Sequence, residues 1–416
     1  MPRTTESPAP PRQPTLSWPQ QRALAATLIV GWIAMIGYGA IALRQPGVMV
    51  DGEQLAPSRA VFLSMNAATL TGFQQAVGIN EFDPDSSRGP AIILTLIFTG
   101  AMCSMIVGGL AMVRILRLNY SVWQLVVSAT LFLFLAAMGG SAVIIGHGTT
   151  LFDAILQSAA AFANCGIATG PVGTVLDPST YLLAALAVLG GLGLPMLMEL
   201  YDALWGLRKL SPHTRTVVKF SAGIYLAGFA LLFLFQCPME RGVGWAIWRQ
   251  AIASSSIEAI NARTAGLHVE MIGALPRAAQ WILILLMAIG ASPGGTGGGV
   301  KSTTLVQLWR GMRNALAGRP VTREFGIAAV RVAIYVVIVL TALLTLLMIN
   351  DEIAADQILF IVVSAASNVG LSHNPIAVVG VSLHVLSAVM FVGRLSPLAI
   401  LWWMAETTDA AELAVG

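Results

Sequence analysis

Gly72, Gly166, Gly266 and Gly370 recur at separations of 94, 100 and 104 residues, each within a similar phrase. The phrases are Ala68-Thr69-Leu70-Thr71-Gly72-Phe73, Phe162-Ala163-Asn164-Cys165-Gly166-Ile167, Ala262-Arg263-Thr264-Ala265-Gly266-Leu267 and Ser367-Asn368-Val369-Gly370-Leu371-Ser372. A chain that turns at glycine can aim carbonyl oxygens at one point, because no Cβ forbids the turn or blocks close approach. Such oxygens can replace the water shell of a cation, whose loss otherwise costs on the order of tens of kcal/mol. One glycine of this kind reads as ordinary helix packing. Four in matching contexts predict a carbonyl-lined cation path at Leu70, Thr71 and Gly72; Asn164, Cys165 and Gly166; Thr264, Ala265 and Gly266; and Asn368, Val369 and Gly370.

The elements that must hold these phrases lie in a membrane. The chain is 56% hydrophobic and 10% charged, with a mean hydropathy of +0.78, far from the charge content of a soluble domain. Apolar runs long enough to span a bilayer cover 23–43, 89–113, 118–146, 178–198, 220–239, 278–300, 332–350 and 375–404, the last with one internal charge, Arg394. Four shorter apolar stretches lie near 56–69, 151–164, 246–262 and 355–368, each between two spans and each leading into a phrase. The expected fold is an all-α membrane protein of four pseudo-symmetric helix–pore loop–helix repeats around one ion pore, with eight spanning helices. The C-terminal ends of the short helices would turn partial negative charge toward a cation.

Basic residues collect on one predicted side (Arg22, Arg114, Arg117, Arg208, Lys209, Arg310, Arg313, Arg323) and acids on the other (Asp51, Glu53, Glu81, Asp83, Asp85, Glu240, Asp351). The positive-inside rule makes the first side cytoplasmic and puts both termini there. The expected divisions are a disordered cytoplasmic tail 1–21, pore repeats at 22–117, 118–210, 211–323 and 324–405, and a cytoplasmic C-terminal tail 406–416. The net charge of +3 carries no nucleic-acid signature.

The phrases resemble those of the Trk/Ktr/HKT superfamily of potassium transporters, and the Ktr-type membrane subunit in particular. Ala-Arg-Thr-Ala-Gly-Leu at 262–267 is similar to that family's Arg-Thr-Ala-Gly-Phe signature. The segment 291–304, Ala-Ser-Pro-Gly-Gly-Thr-Gly-Gly-Gly-Val-Lys-Ser-Thr-Thr, resembles its Gly-Ser-Pro-Gly-Ser-Thr-Ala-Gly-Gly-Ile-Lys-Thr-Thr-Thr, and 391–398 resembles a third signature in the last helix. Five residues before each phrase glycine, where the family usually has Ser, stand Ala67, Ala161, Asn261 and Ala365. The resemblance implies potassium uptake in the cell membrane, with potassium as transported substrate and no cofactor. It also implies a homodimer working with a separate cytosolic nucleotide-binding regulatory subunit. Sodium or mixed sodium/potassium transport, or a cation symporter, is the alternative.

Five glycines and Pro293 within 293–299 cannot continue a helix. A phosphate-binding loop would need Lys directly after Gly, and here Val300 precedes Lys301. By resemblance 291–301 is an intramembrane gating loop, with Gly294, Gly295, Thr296, Gly297, Gly298, Gly299 and Lys301 as its gating residues and Arg394 as a latch. An arginine inside a span needs an aqueous cavity or a partner. Changing Arg394 to Ala, or removing 297–299, is expected to raise flux and leave selectivity unchanged, because the filter lies elsewhere. Glu258 and Arg263 are expected to form an ion pair. The three cysteines read as buried small apolar residues, and His147, His213, His268, His373 and His384 have no ligand spacing. Catalytic residues are not expected: no paired intramembrane acids and no Ser/His/Asp set appear, and the chain is short for an ATP-driven pump.

Overall fold

The computed structural model describes residues 16–50, 53–73, 82–83, 86–145, 149–169, 173–237, 244–267, 269–373 and 378–413. Its helices run α1 (Trp18–Ala42), α2 (Pro57–Ala68), α3 (Arg88–Ile115), α4 (Val122–Ile144), α5 (Leu151–Phe162), α6 (Pro178–Leu192) and α7 (Leu194–Leu204). They continue as α8 (Pro212–Gln236), α9 (Trp245–Ile260), α10 (Arg277–Ala288), α11 (Ser302–Leu316), α12 (Arg323–Ile349), α13 (Ala355–Ala366) and α14 (Val381–Leu413). Proline opens α2, α6, α7 and α8 in the first turn, where its missing N–H costs nothing. Thr150 caps α5 through the Asp153 amide, and Ser121 with Gln124 forms a capping box on α4.

The protein is an all-α membrane protein. Among the described residues, six helices are long and apolar enough to cross a bilayer, or seven if α6 and α7 are one bent span. Val30, Phe134, Leu226 and Val337 are large apolar side chains left exposed, as lipid-facing positions are. The short helices fall where the short apolar stretches predicted them, and each packs on its neighbours: α2 on α1 and α3, α5 on α4 and α6, α9 on α8 and α10, α13 on α12 and α14. The last helix closes on the first ones, since α14 also packs against α2 and α3, with Phe391 stacked on Trp32 at 5.5 Å.

Two expectations change. The run 178–198 is not one span: it breaks at Gly193 (φ +94°), and α6 and α7 meet at 106°. The expected tail at 406–416 is, as far as Leu413, the continuation of α14. The run 278–300 is helical as far as Ala288 and then opens ahead of the Gly-rich segment, which is expected to end the helix. Residues 1–15 of the expected N-terminal tail, and His147, His268, Asp51, Glu81, Asp85 and Glu240, lie outside the described residues.

Candidate functional site

Three of the four phrases begin with the same helix ending. Leu70, Asn164 and Asn368 adopt left-handed backbone, with φ of 57°, 58° and 50°. The following N–H then returns to the carbonyl five residues back: Thr71 to Asn66 at 3.0 Å, Cys165 to Ala160 at 2.8 Å and Val369 to Ser364 at 2.9 Å. This is the Schellman closure, which ties off a helix and leaves the next residues extended. Asn suits the left-handed position; Leu70 has no such excuse and costs about 1–2 kcal/mol there. The third phrase ends differently. A π-helical turn, Asn261–Ala265, follows α9, and the left-handed residue is Gly266 itself (φ 63°).

The four phrases meet in ring order. A Cβ on Gly72 would lie 2.7 Å from the Gly166 nitrogen, and one on Gly166 would run into the Gly266 carbonyl. A Cβ on Gly266 would meet the Val369 carbonyl oxygen, and one on Gly370 would meet the Thr71 carbonyl and stand 2.5 Å from the Gly72 carbonyl carbon. Each glycine is thus excluded from being anything else by the backbone of the next phrase. Gly72 and Gly370 also need it for their φ of 93° and 88°.

Side chains brace this ring from outside. The Asn66 amide oxygen accepts the N–H groups of Gly72 and Phe73, both at 2.9 Å, and its amide nitrogen donates to the Phe73 carbonyl at 3.0 Å. Asn368 donates to Thr71 Oγ1 (2.9 Å) and the Met390 carbonyl (2.9 Å), linking the fourth phrase to the first. Trp32 Nε1 donates to the Ala68 carbonyl at 2.9 Å, and the Tyr335 hydroxyl bonds Ser367 Oγ at 2.7 Å. Cys165 and Cys103 are buried and free, and Cys237 is half-buried and free at the end of α8.

The Gly-rich segment 289–301 is fixed by backbone bonds at both ends. Gly290 N donates to Val300 O (2.9 Å) and Val300 N to Ala288 O (3.1 Å). Its middle docks on the break in α6/α7: Ser292 N donates to Gly191 O (3.1 Å), Thr296 N to Gly190 O (3.3 Å), and Leu194 N to Gly294 O (3.4 Å). Two opened helices therefore satisfy each other's unpaired backbone groups, which is what non-helical chain at membrane depth requires.

This segment touches the second, third and fourth phrase regions directly and is joined to the first through Arg394. Thr296 Oγ1 receives Asn164 Nδ2 at 2.9 Å and donates to the Phe162 carbonyl at 3.3 Å. A Cβ on Gly298 would stand against the Ser367 carbonyl and 2.8 Å from Asn368 Oδ1. Arg263 Nη2 donates to the Gly290 carbonyl at 3.4 Å. Buried Arg394 completes the set: Nε donates to Thr69 O (2.8 Å), Nη2 to Leu70 O (3.3 Å) and Nη1 to the Thr296 carbonyl. Lys301 Nζ donates to the Gly297 carbonyl. Beyond the segment, toward α11, lies a cavity lined by Lys301, Thr304, Arg331, Tyr335, Arg394 and Pro397 among others.

Two expectations are corrected here. Arg394 does not act away from the first phrase, because it holds the Leu70 carbonyl as well as the loop. Glu258 and Arg263 do not pair: Arg263 donates to Ser221 O (3.1 Å) and Gly290 O, while Glu258 contacts Asn261 Nδ2 at 3.4 Å. A spacing of five puts two side chains about 140° apart on an α-helix, outside the three- and four-residue pairs that face each other. Asn66, Tyr335 and the Gly190–Gly193 break were missed by sequence reasoning. The signal for the break was legible as Gly190-Gly191-Leu192-Gly193-Leu194-Pro195; nothing local marked Asn66 or Tyr335.

A family model described as cation transport protein (TrkH) matches residues 243–410, which carry the third and fourth phrases, the Gly-rich segment and Arg394. The chain is 27% identical over 276 residues to the Ktr system potassium uptake protein B of Vibrio alginolyticus, a match covering 63% of this chain and 60% of that protein. It is 23% identical over 422 residues to the Ktr system potassium uptake protein B of Bacillus subtilis, covering 92% and 93%. The chain is thus similar to members of the Trk/Ktr superfamily. That superfamily consists of ion transporters and not of enzymes. The solved structure of the potassium transporter TrkH of Vibrio parahaemolyticus superposes with a TM-score of 0.72 at 18% identity, over 92% of this chain and 84% of that one, a likeness of fold.

Proposed function

We propose that this chain is the ion-conducting subunit of a potassium uptake system, with the four glycine phrases as its selectivity filter and 291–301 as its gate. The observation that carries the reading is the ring order in which Gly72, Gly166, Gly266 and Gly370 approach one another's backbones. A single chain that brings four helix ends to one point can offer an ion carbonyl oxygens from every side. The oxygens are those of Leu70, Thr71, Gly72, Asn164, Cys165, Gly166, Thr264, Ala265, Gly266, Asn368, Val369 and Gly370. Helix C-termini behind them add partial negative charge. In this reading the pore repeats are 22–117, 118–210, 211–323 and 324–405.

The ion moves down its electrochemical gradient. An inside-negative potential supplies about 2.3 kcal/mol per charge per 100 mV. The loop lies across the path, held by Arg394 and Thr296, and the positive charges of Lys301, Arg331 and Arg394 on its inner side oppose a cation until the loop shifts. With basic residues facing the cytoplasm, both termini are cytoplasmic and the protein sits in the cell membrane. The family resemblance further supports a homodimer and a separate nucleotide-binding regulatory subunit on the cytosolic face, which would supply the free energy that moves the loop.

The test is ion flux into liposomes containing only this protein, comparing potassium with sodium under an imposed inside-negative potential. Potassium entry well above sodium entry is expected. Equal rates for the two ions would overturn the assignment of selectivity, and an absence of flux even with the loop residues 297–299 removed from a folded variant would overturn the pore.

A further inference from the structure

Behind the third phrase, α9 buries more polar groups than it satisfies. Ser255, Glu258 and Asn261 are each fully buried, and Ser255 Oγ, Glu258 Oε2 and Asn261 Oδ1 each lack a hydrogen-bond partner among the described residues. Each consecutive pair is three residues apart, a spacing that makes neighbours on a helix surface. Glu258 Oε1 and Asn261 Nδ2 lie 3.4 Å apart, so two of the three are direct neighbours. Buried polar atoms are ordinarily bonded, and a buried carboxylate oxygen without a partner is a strong exception.

The first phrase is the useful reference. Asn66 and Asn261 hold the same place: each donates its amide to the carbonyl just after the phrase glycine, Phe73 and Leu267 respectively, at 3.0 and 2.8 Å. Asn66 fills its oxygen with two backbone N–H groups. Asn261 does not, because the π-helical turn alters the path of the chain there. Three residues earlier the first phrase has buried apolar Leu63, where the third has Glu258. The cation on this turn is spoken for elsewhere, since Arg263 bonds Ser221 and Gly290. Outward along the same helix, Ser254 donates to the half-buried Glu270, whose other oxygen takes Gln250 Nε2 at 3.1 Å, so an acidic group stands on the approach from the loop side.

We infer that Ser255, Glu258 and Asn261 form a binding site for one small monovalent cation, separate from the carbonyl ring and lying behind the third phrase. A hydroxyl, a carboxylate and an amide oxygen are the ligand types of a hard cation. A single carboxylate matches a single charge. A carboxylate is also a stronger-field oxygen than a peptide carbonyl, which selects sodium over the larger potassium. Occupied, the site ties α9 to the turn that carries Thr264, Ala265 and Gly266. The site stands whether or not the ring conducts potassium.

The test is thermal unfolding of the purified full chain in detergent, titrated with NaCl against choline chloride at fixed ionic strength and without potassium. A saturating rise in the unfolding midpoint is expected in the parent. The rise should vanish in Glu258→Gln, which keeps the shape and loses the charge. Ser255→Ala should keep it with an apparent affinity at least about threefold weaker, as loss of one oxygen ligand implies. No saturating sodium dependence in the parent would overturn the site, and so would an unchanged titration in Glu258→Gln. Should Glu258→Gln not fold, an unshifted titration in Ser255→Ala overturns it by itself.

Discussion

The ends of α2 and α9 hold equivalent phrases by different means. At α2 the helix closes with a Schellman turn, Asn66 takes up two phrase amides, Trp32 holds the Ala68 carbonyl, and Arg394 holds the carbonyls of Thr69 and Leu70. At α9 the helix widens into a π turn, Asn261 makes one bond to the phrase, and Arg263 reaches away to α8 and to the Gly-rich segment. The first phrase is thus braced from several directions, while the third is tied to the loop beneath it. Single-turn π segments often occur at functional positions, and here the difference puts rigidity on one side of the ring and adaptability on the other.

The largest effect should come from the ring itself, where each of the four glycines lies against the backbone of the next phrase. In Gly166→Ser the new Cβ would strike the Gly266 carbonyl. Overpacking of this kind costs about 1–3 kcal/mol, so potassium flux in liposomes should fall by about 5- to 150-fold. Gly139→Ser is the control, since a Cβ there meets nothing within 4 Å, and it should leave flux unchanged. Equal behaviour of the two would dissolve the ring.

Next comes the contrast between the two asparagines. Asn66→Leu strands two buried N–H groups at about 1–3 kcal/mol each, whereas Asn261→Leu loses one bond worth about 1 kcal/mol. Potassium-over-sodium selectivity should therefore drop sharply in Asn66→Leu and little in Asn261→Leu, measured by paired flux in folded protein. A reversed order would mean that the third phrase, not the first, sets the geometry of the ring.

Much of this was legible in the sequence, for a physical reason. A phrase of turn-forming residues at the end of a short apolar helix is a local pattern, and its fourfold recurrence gave away the helices at 57–68, 151–162, 245–260 and 355–366 almost to the residue. Arg394 was legible because a charge in a span must find acceptors. The break at Gly193 was hidden by unbroken apolarity across 178–198, although its glycines were in plain sight. The order of the phrases around the ring was not legible at all, because it depends on contacts between residues hundreds of positions apart, such as Asn368 with Thr71. Filter and gate read as separate regions in the sequence; in space the loop hangs from the phrases, and that changes what a mutation can test.

A smaller effect follows from this joining. Thr296→Val keeps the shape and removes the bonds to Asn164 and Phe162, at about 1–2 kcal/mol in total. If those bonds hold the loop closed, the open fraction and hence flux should rise about 5- to 30-fold, with selectivity retained because Arg394 still holds Leu70. Arg394→Ala should raise flux too, but with a loss of selectivity, since the Leu70 and Thr69 carbonyls lose their donor. Selectivity preserved in a folded Arg394→Ala protein would show that the first phrase does not depend on the arginine.

The smallest expected effect bears on the third phrase alone. Arg263 is the tether between that phrase and the loop, with Nη1 on the Ser221 carbonyl and Nη2 shared between Ser221 Oγ (3.5 Å) and Gly290 O (3.4 Å). A guanidinium can reach α8 and the loop together because its donors are fixed in a planar fork; an ammonium is a point donor on a flexible stem. In Arg263→Lys the charge and most of the side-chain volume remain, and the ammonium keeps the shorter bond, to Ser221. The bond to Gly290 is given up. At 3.4 Å that bond lies at the weak end of the range for N–H to O, so its loss is worth about 0.5–1 kcal/mol. Flux should rise about two- to fivefold with the potassium-to-sodium ratio unchanged, because the Arg394 and Thr296 bonds to the other phrases are untouched. Arg263→Met separates tether from charge: it loses both bonds and should add a loss of thermal stability to the same rise in flux. Were Arg263→Lys instead to alter selectivity as strongly as Asn66→Leu, the third phrase would be as finely held as the first, and the division between a braced side and an adaptable side would fail.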